Sequence, residues 1–492
     1  MKVFIDNHKF HYETENLTRV FFPNEKIEIF RQPCDIAEED IPFIETRLEA
    51  GDDGISIFVR LSVGDYQRSS TTKLPPDTPD DEQERQLAIM LFNLLSEYTE
   101  ITPPWGILTG VRPIKLFRRL RESGGEEYAR SYFGERLLVS QPKIDLSAIT
   151  ERNEREILKT SSPNSFSLYV SVPFCPSRCS YCSFVSQSVE KSFKLIEPYV
   201  ELLCREIEET GRIAAELSLK LESVYIGGGT PTTLSASQLE AVMSAINNSF
   251  DMSACREFTV EAGRPDTVTQ DKLRAIKNCG GDRISINPQT LNDKILEKIG
   301  RRHTAADFLR AYEMAVNAGF DHINTDLIAG LPSESFESFK STLDKIAELD
   351  PKSITVHTLS MKRSSQLTME GMETLRRDIR AAENMHLYCG ELLPDCGYEP
   401  YYLYRQSKMV GNLENVGWSK KGSEGIYNVF IMDETHTVLG CGAGATTKLR
   451  QPNGPYIERI FNYKYSYEYL NGFDEILKRK GRFKSFYEEY GL

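Results

Sequence analysis

No run in this 492-residue chain approaches the roughly 18 consecutive apolar residues that a membrane span requires. The start, Met-Lys-Val-Phe-Ile-Asp-Asn-His, lacks the apolar stretch of a secretory signal, so a cytoplasmic location is expected. Positive charge is in deficit: 59 Lys and Arg against 72 Asp and Glu leave a net charge of −13. That balance argues against a nucleic-acid backbone as the main partner, and an acidic substrate would have to be met by local basic residues. Cysteine is dilute, at ten residues, and seven of them are scattered: Cys34, Cys204, Cys255, Cys279, Cys389, Cys396 and Cys441. In a reducing compartment these are expected to be small buried hydrophobes rather than disulfides. Internal repeats beyond a βα rhythm and low-complexity tracts are absent. What remains is a composition ordinary for a soluble enzyme, 40% hydrophobic and 27% charged, long enough for two to four domains.

The other three cysteines are not scattered. Cys175, Cys179 and Cys182 lie in Tyr169-Val-Ser-Val-Pro-Phe-Cys-Pro-Ser-Arg-Cys-Ser-Tyr-Cys-Ser-Phe184, a C-x3-C-x2-C triplet directly after a predicted strand. Their i, i+4, i+7 spacing fits one helix face, but Pro176 pushes Cys175 out of the α region and favours a loop. Three thiolates are one short of a closed all-cysteine site. A 4Fe–4S cluster so held leaves one iron open to another ligand, which suits a reaction centre better than a structural staple. Zinc with a remote fourth ligand, such as Cys204 or a histidine, is the alternative.

From about 167 to 359 short β-rich runs alternate with amphipathic helical patterns. The runs are Ser167–Val172, Ser223–Ile226, Glu257–Glu261, Arg283–Ile286, His322–Ile328 and Ser353–Leu359. Helical patterns cover 193–217, 236–247, 270–278, 305–318 and 336–348, and Asn-Ala-Gly-Phe at 317–320 reads as a helix end. Six βα units imply a parallel sheet with right-handed crossovers, curled into a partial (β/α)6 TIM-like barrel. The two further units of a complete barrel are not found, and the active site is expected at the carboxyl ends of the strands. Residues 1–160 read as an α+β extension of open role, with strands at 2–5 and 54–63, a loop over 74–82 and a helix over 83–98. Within it the Gly/Pro-rich Thr102–Lys115 segment carries basic residues but no legible purpose. Residues 161–365 form the barrel, and 366–492 a C-terminal mixed α/β domain that covers the substrate, beginning with a helix over 375–393.

Further motifs fall at the strand ends. Val224-Tyr-Ile-Gly-Gly-Gly-Thr-Pro-Thr232 closes a strand in three glycines, which lets backbone approach a ligand closely or simply makes a turn. Glu261 ends its strand and reads alone as a solvated acid. Gln289, Arg301 and Asp326 follow, and Arg301 taken alone is a helix-end cation beside Arg302.

The cysteine triplet, with aromatic Tyr181 before its third member, resembles the signature of the radical S-adenosylmethionine (SAM) superfamily. The ordered set of Tyr169, Gly-Gly-Gly-Thr-Pro-Thr, Glu261, Gln289, Ile-Gly-Arg-Arg-His at 299–303 and Asp-Leu-Ile-x-Gly-Leu-Pro at 326–332 resembles the oxygen-independent coproporphyrinogen III oxidase (dehydrogenase) family and its haem-chaperone relatives. The Leu108–Lys115, Gly411–Trp418 and Val438–Lys448 runs are similar to its longer HemZ-like branch, although Gly440–Gly444 reads equally as a tight turn. The resemblance implies a cluster on Cys175, Cys179 and Cys182, and one or two SAM molecules held by Tyr169, Tyr181, Gly228, Gly229, Thr230, Glu261, Gln289, Arg301 and Asp326. Two departures stand out: Glu261 is followed by Ala-Gly-Arg-Pro, and Gln289 follows Asn-Pro.

The activity so implied is radical oxidative decarboxylation of coproporphyrinogen III propionates to vinyls, giving protoporphyrinogen IX. The implied partners are a tetrapyrrole substrate, an electron donor of flavodoxin or ferredoxin type, and an electron acceptor. Arg112, Lys115, Lys362, Arg363, Arg405 and Lys408 are candidates to meet the substrate carboxylates. A haem-binding chaperone is one rival. Its relatives carry a His-Asn-x-x-Tyr-Trp haem-ligand motif near the position of Gly411-Asn-Leu in this chain. A radical SAM methyltransferase or ring-opening enzyme acting on haem is the other.

Overall fold

The computed structural model describes residues 1–23, 25–31, 41–182, 184, 186–360, 372–406 and 409–491. Cys34, Lys362, Arg363 and Lys408 lie outside the described residues. Two compact units emerge, one of residues 1–149, 358–387 and 404–414, the other of 150–357, 388–403 and 415–492.

The first unit is built on a five-stranded sheet of β1 (Lys2–Asp6), β2 (Glu28–Phe30), β3 (Phe43–Gly51), β4 (Gly54–Val63) and β5 (Tyr66–Leu74), in the order β2-β1-β3-β4-β5. The alternation over 54–63 is β4 itself, with Ile55, Ile57, Val59 and Leu61 turned into the core. Helices α1 (His11–Phe21) and α2 (Asp80–Thr99) supply Leu17, Phe21, Leu87, Leu91 and Leu95 to the same cluster. The chain continues through α3 (Pro113–Gly124), α4 (Glu126–Ser131) and α5 (Gln141–Leu158).

The second unit holds an eleven-stranded sheet. In chain order its parts are β6 (Ser165–Val172), the two-residue strands β7 (Phe174–Cys175) and β8 (Gln187–Ser188), which pair with each other, and α6 (Val189–Glu216). Then come β9 (Lys220–Gly228), α7 (Ala236–Ser249), β10 (Glu257–Glu261), α8 (Gln270–Asn278), β11 (Arg283–Ser285), α9 (Asp293–Lys298) and α10 (Ala305–Asn317). β12 (His322–Ala329), α11 (Phe336–Leu349) and β13 (Ser353–Thr358) complete the six expected units. Beyond α12 (Met372–Asp395) follow β14 (Tyr398–Tyr404), β15 (Asn415–Lys420), α13 (Ile426–Asp433), β16 (Thr437–Cys441), β17 (Thr446–Arg450), β18 (Ile457–Phe461), α14 (Ser466–Asn471) and α15 (Phe473–Tyr490).

The strand order is β14-β15-β13-β12-β11-β10-β9-β6-β16-β17-β18. β6 and β9 to β12 run parallel as neighbours. The sheet stays open, as a partial barrel should. Among the described residues no further βα unit occupies its edges; strands from the C-terminal stretch do. β16 runs parallel to β6 with Cys441 opposite Val170, and β15 runs antiparallel to β13.

Strands buried on both faces need unbroken apolar sequence. Leu168, Val170, Ile226, Val260, Ile284, Leu327 and Ile354 are fully buried here. The helices start at sequence-encoded caps: Ser235 and Gln238 form a reciprocal capping box on α7, as Thr304 and Asp307 do on α10. Each such cap contributes about 1 kcal/mol. Gly319 sits at φ +84° just past α10, the left-handed helix end that the Asn-Ala-Gly-Phe run foretold.

Among the described residues no disulfide forms. Cys389 and Cys441 are buried as expected, whereas Cys204, Cys255, Cys279 and Cys396 are only half-buried. No helix among the described residues is long and apolar enough to cross a membrane.

Candidate active site at the carboxyl ends of the parallel strands

Register brings the motifs together. Val172 pairs with Gly228, Ile226 with Val260, Glu261 with Ser285, and Ser285 with Asn324. The ends of β6, β9, β10, β11 and β12 therefore lie side by side, and every residue singled out from them is in the second unit.

None of the cysteines is helical, as Pro176 foretold: Cys175 ends the two-residue β7, and Cys179 and Cys182 lie in the loop after it. Gly229 N–H donates to Val172 O at 2.8 Å and Thr230 N–H to Phe174 O at 2.7 Å, so the glycine turn is laced to the loop's entry. Thr230 Oγ1 donates to Cys175 Sγ at 3.5 Å. On the other side Ser180 N–H donates to Ile299 O at 3.0 Å and Ser177 Oγ to Gly300 O at 3.1 Å. Arg301 is not a solvated helix-end cation. It is 8% exposed, and its guanidinium donates to Tyr181 Oη at 2.9 and 3.1 Å, to Gly263 O at 2.9 Å and to Asn287 O at 2.8 Å. One residue thus ties the cysteine loop to the ends of β10 and β11.

Behind the glycines lies a carboxylate. Tyr225 Oη donates to Glu261 Oε1, and a Cβ on Gly227 would sit 3.1 Å from that carboxyl. Burial pushes the Glu261 pKa up to about 7, with the Tyr225 hydrogen bond opposing and Asp326 adding to the rise. Asp326 accepts from Asn324 Nδ2 at 2.7 Å and faces His357 at 3.7 Å. Tyr169, Tyr225 and Tyr427 stack in near-parallel planes, with Tyr225 and Tyr427 centroids 4.5 Å apart. Gln289 lies 6% exposed, held at φ +67° by hydrogen bonds from its N–H to Asp326 O and from Ile328 N–H to its O. Its Oε1 is buried with no hydrogen-bond partner among the described residues.

Several contributors were not singled out from the sequence. Arg264, in the turn after β10, donates to Ser177 O, Ser177 Oγ and Cys179 Sγ at 3.2, 3.1 and 3.7 Å. The Ala-Gly-Arg-Pro departure is therefore a working part of the loop's support. Asn287 accepts from Ser285 Oγ and from Asp326 N–H, which gives the Asn-Pro departure a role in aligning β11 and β12. Tyr225, Tyr427 and His357 carried no local signal, because only the fold brings them to these neighbours. The Gly442–Ala445 stretch is a turn between β16 and β17, and it is also tied to β6: Ser171 Oγ donates to Ala443 O at 2.7 Å. Arg405, offered as a carboxylate ligand, is buried in the first unit. It donates to Leu108 O and Gly110 O and stacks 5.3 Å from the Trp105 ring. That explains the Gly/Pro-rich 102–115 segment, which Arg405 helps to hold.

The residues fit a 4Fe–4S cluster with SAM. The donor set is three thiols close together in one short stretch of chain, one short of a closed all-cysteine site. A Cβ on Gly229 would lie 2.6 Å from Phe174 O, so the cradle admits nothing larger than glycine. The orphaned Gln289 Oε1 is an acceptor awaiting a donor. Among the described residues no three His, Cys, Asp or Glu side chains converge on a point that one ion would occupy. A cube of four irons does not need that convergence.

An open, mixed sheet with a three-cysteine loop and a glycine turn at the ends of its parallel strands defines an iron–sulfur protein built to hold a small cofactor. Comparison with known proteins gives the class its name. Residues 169–346 match the radical SAM superfamily. The chain is 33% identical to the oxygen-independent coproporphyrinogen-III oxidase-like protein HemZ of Bacillus subtilis, over 97% of this chain and 96% of that one. It is 34% identical to the heme chaperone HemW of Lactococcus lactis, over 58% of this chain and 69% of the other. Its fold is like that of the coproporphyrinogen III oxidase HemN from Escherichia coli, with a TM-score of 0.51 and 20% identity, covering 65% of this chain and 72% of that one. The chain belongs to the radical SAM superfamily and, within it, to the HemZ-type family of oxygen-independent coproporphyrinogen III oxidase-like proteins. Its cofactors are accordingly a 4Fe–4S cluster and SAM.

Proposed function

We propose that the protein is an oxygen-independent coproporphyrinogen III dehydrogenase. Two substrate propionates would each become a vinyl group, losing carbon dioxide, one hydrogen atom and one electron. The observation that carries this reading is the near-full-length similarity to a coproporphyrinogen oxidase-like protein, on a chain whose strand ends join the cysteine loop to glycines, Glu261, Gln289 and Asp326.

In this reading Cys175, Cys179 and Cys182 would hold the cluster, and the strand-end residues beside them would hold SAM. When bound, cluster and SAM supply the one-electron chemistry that removes hydrogen from an unactivated carbon. The protein's part is positioning. Gly228 and Gly229 let the end of β9 pass close against the entry of the cysteine loop, where a side chain would collide with Val172 and Phe174, and so keep that end of the strand free of side chains beside the cofactor. Glu261, whose pKa burial raises, would be drawn to its anionic form beside a cationic ligand group. Gln289 offers its unpartnered Oε1, and Asp326 a carboxylate held by Asn324. Arg301 acts through Tyr181, fixing the phenol next to Cys182. Tyr169 adds an aromatic face and Thr230 steadies Cys175.

Haem chaperoning is the second reading, favoured by the similarity to HemW. Against it, the resemblance puts the chaperones' histidine motif near Gly411, which supplies no imidazole. Gly411 sits at φ +62°, where a Cβ would meet Ile379 Cγ2 at 3.2 Å. An imidazole there would be both strained and crowded.

Anaerobic turnover of reconstituted protein with coproporphyrinogen III, SAM and a reductant, with products weighed, tests the proposal. Loss of two carboxyl groups with formation of two vinyls is expected. Stoichiometric haem binding without vinyl product, or a methylated linear tetrapyrrole formed from haem, would overturn it.

A further inference from the structure

Two guanidiniums flank the cysteine loop, and they do different work. Arg301 spends its donors on a phenol and two backbone carbonyls. Arg264 reaches a cysteine. Its Nη1 donates to Cys179 Sγ at 3.7 Å, and the same group holds Ser177 O at 3.2 Å, while Nη2 holds Ser177 Oγ at 3.1 Å. Cys179 is 9% exposed and Arg264 3% exposed, so water screens this pair little. The guanidinium is aimed by a fork to Asp266, from Nε and Nη2, both at 3.1 Å. The turn fixing it starts at the end of β10, with Arg264 three residues after Glu261, and Pro265 opens the short 3-10 helix that carries Asp266.

We propose that Arg264 tunes the reduction potential of the cluster through Cys179, making the cluster easier to reduce, with Asp266 as the counter-charge that sets how strongly it does so. A cube with two ferric and two ferrous irons and three thiolate ligands carries one net negative charge, and adding an electron makes it two. A hydrogen bond to a ligating sulfur and a nearby cation both stabilise the more negative state, which raises the potential. Arg264 supplies both at one atom. It is a positioning and tuning residue, since it acts through a ligand and meets no reacting atom. The inference rests on the ligand assignment proposed above.

The test uses the full chain, reconstituted anaerobically, with iron and sulfide counted per chain and the reduced cluster followed by electron paramagnetic resonance across a redox titration. R264Q is expected to hold the wild-type iron content. Its ratio of reduced to oxidised cluster at a given poise should fall about tenfold, a midpoint about 59 mV more negative for one electron. R264K, which keeps the charge and loses the fork, is expected between the two. D266N keeps the guanidinium at the sulfur and removes its counter-charge, so its midpoint is expected to move to more positive values. An R264Q protein with full iron and the wild-type midpoint overturns the proposal. If R264Q takes up no cluster, D266N decides: a midpoint unchanged or more negative overturns the proposal equally. The ligand assignment fails separately, by iron retained after the cysteines are replaced.

Discussion

Each of the two units buries a polar network around a carboxylate, and the two differ in what is left over. In the first unit Glu414 is fully buried and fully used. It accepts from Trp105 Nε1 at 2.7 Å and from Lys143 Nζ at 2.5 Å, with His386 Nδ1 at 3.5 Å. Although burial opposes it, these partners hold the Glu414 carboxyl down to about 2. In the second unit, among the described residues, Glu261 is met by the Tyr225 phenol and the Gly228 N–H, its pKa is raised to about 7, and the buried Gln289 Oε1 has no donor. A saturated network is a strut. A network with spare capacity marks a place where a ligand completes the hydrogen bonding.

Breaking the strut should have the largest effect on stability. E414A leaves Lys143 buried and uncompensated, and a loss of about 3–5 kcal/mol is expected in chemical denaturation of the cofactor-free protein. A loss under 1 kcal/mol would show that this network is not what holds the first unit. G229A should barely touch the first unit but must push the cysteine loop, because the new Cβ lies within 2.9 Å of three backbone atoms of Phe174 and Val172. SAM cleavage is expected to fall roughly 100-fold, the usual consequence of misplacing a reacting group by about an ångström. Deoxyadenosine release measures it.

The smallest effect is on pH dependence. Glu261 binds its proton more tightly folded than unfolded, so between pH 5 and 7 the unfolded state carries fewer protons and stability falls as pH rises. E261Q lacks this loss. Its stability relative to wild type, read from urea denaturation, should climb from near zero at pH 5 to about 2 kcal/mol at pH 8. A pH-independent difference would place the shift elsewhere.

What could be read from the sequence was local. The cysteine triplet, the three glycines and the acids at strand ends announce themselves within a few residues, because backbone geometry alone places them at one end of a parallel sheet. The six strands and their helices were legible for the same reason. What could not be read depends on pairings between distant segments. β16 joins β6 across some 270 residues, and nothing in Thr437–Cys441 names that partner. Arg264 looked like a deviation from a family motif, since its value lies in reaching Cys179, 85 residues away. Arg301 taken alone read as a helix-end cation, and only the family resemblance singled it out, because burial of a helix-end cation leaves no periodic trace. The 102–115 segment made sense only with Trp105 on Glu414 and Arg405 on its carbonyls.

The most direct measurement replaces all three loop cysteines, Cys175, Cys179 and Cys182, with alanine, and compares iron content and SAM cleavage with wild type after identical anaerobic reconstitution. The wild-type chain should hold about four irons and release deoxyadenosine, while the variant should hold almost none and release none. A triple variant that still cleaves SAM would contradict the account, because the reaction would then be running without the loop around which the site is built.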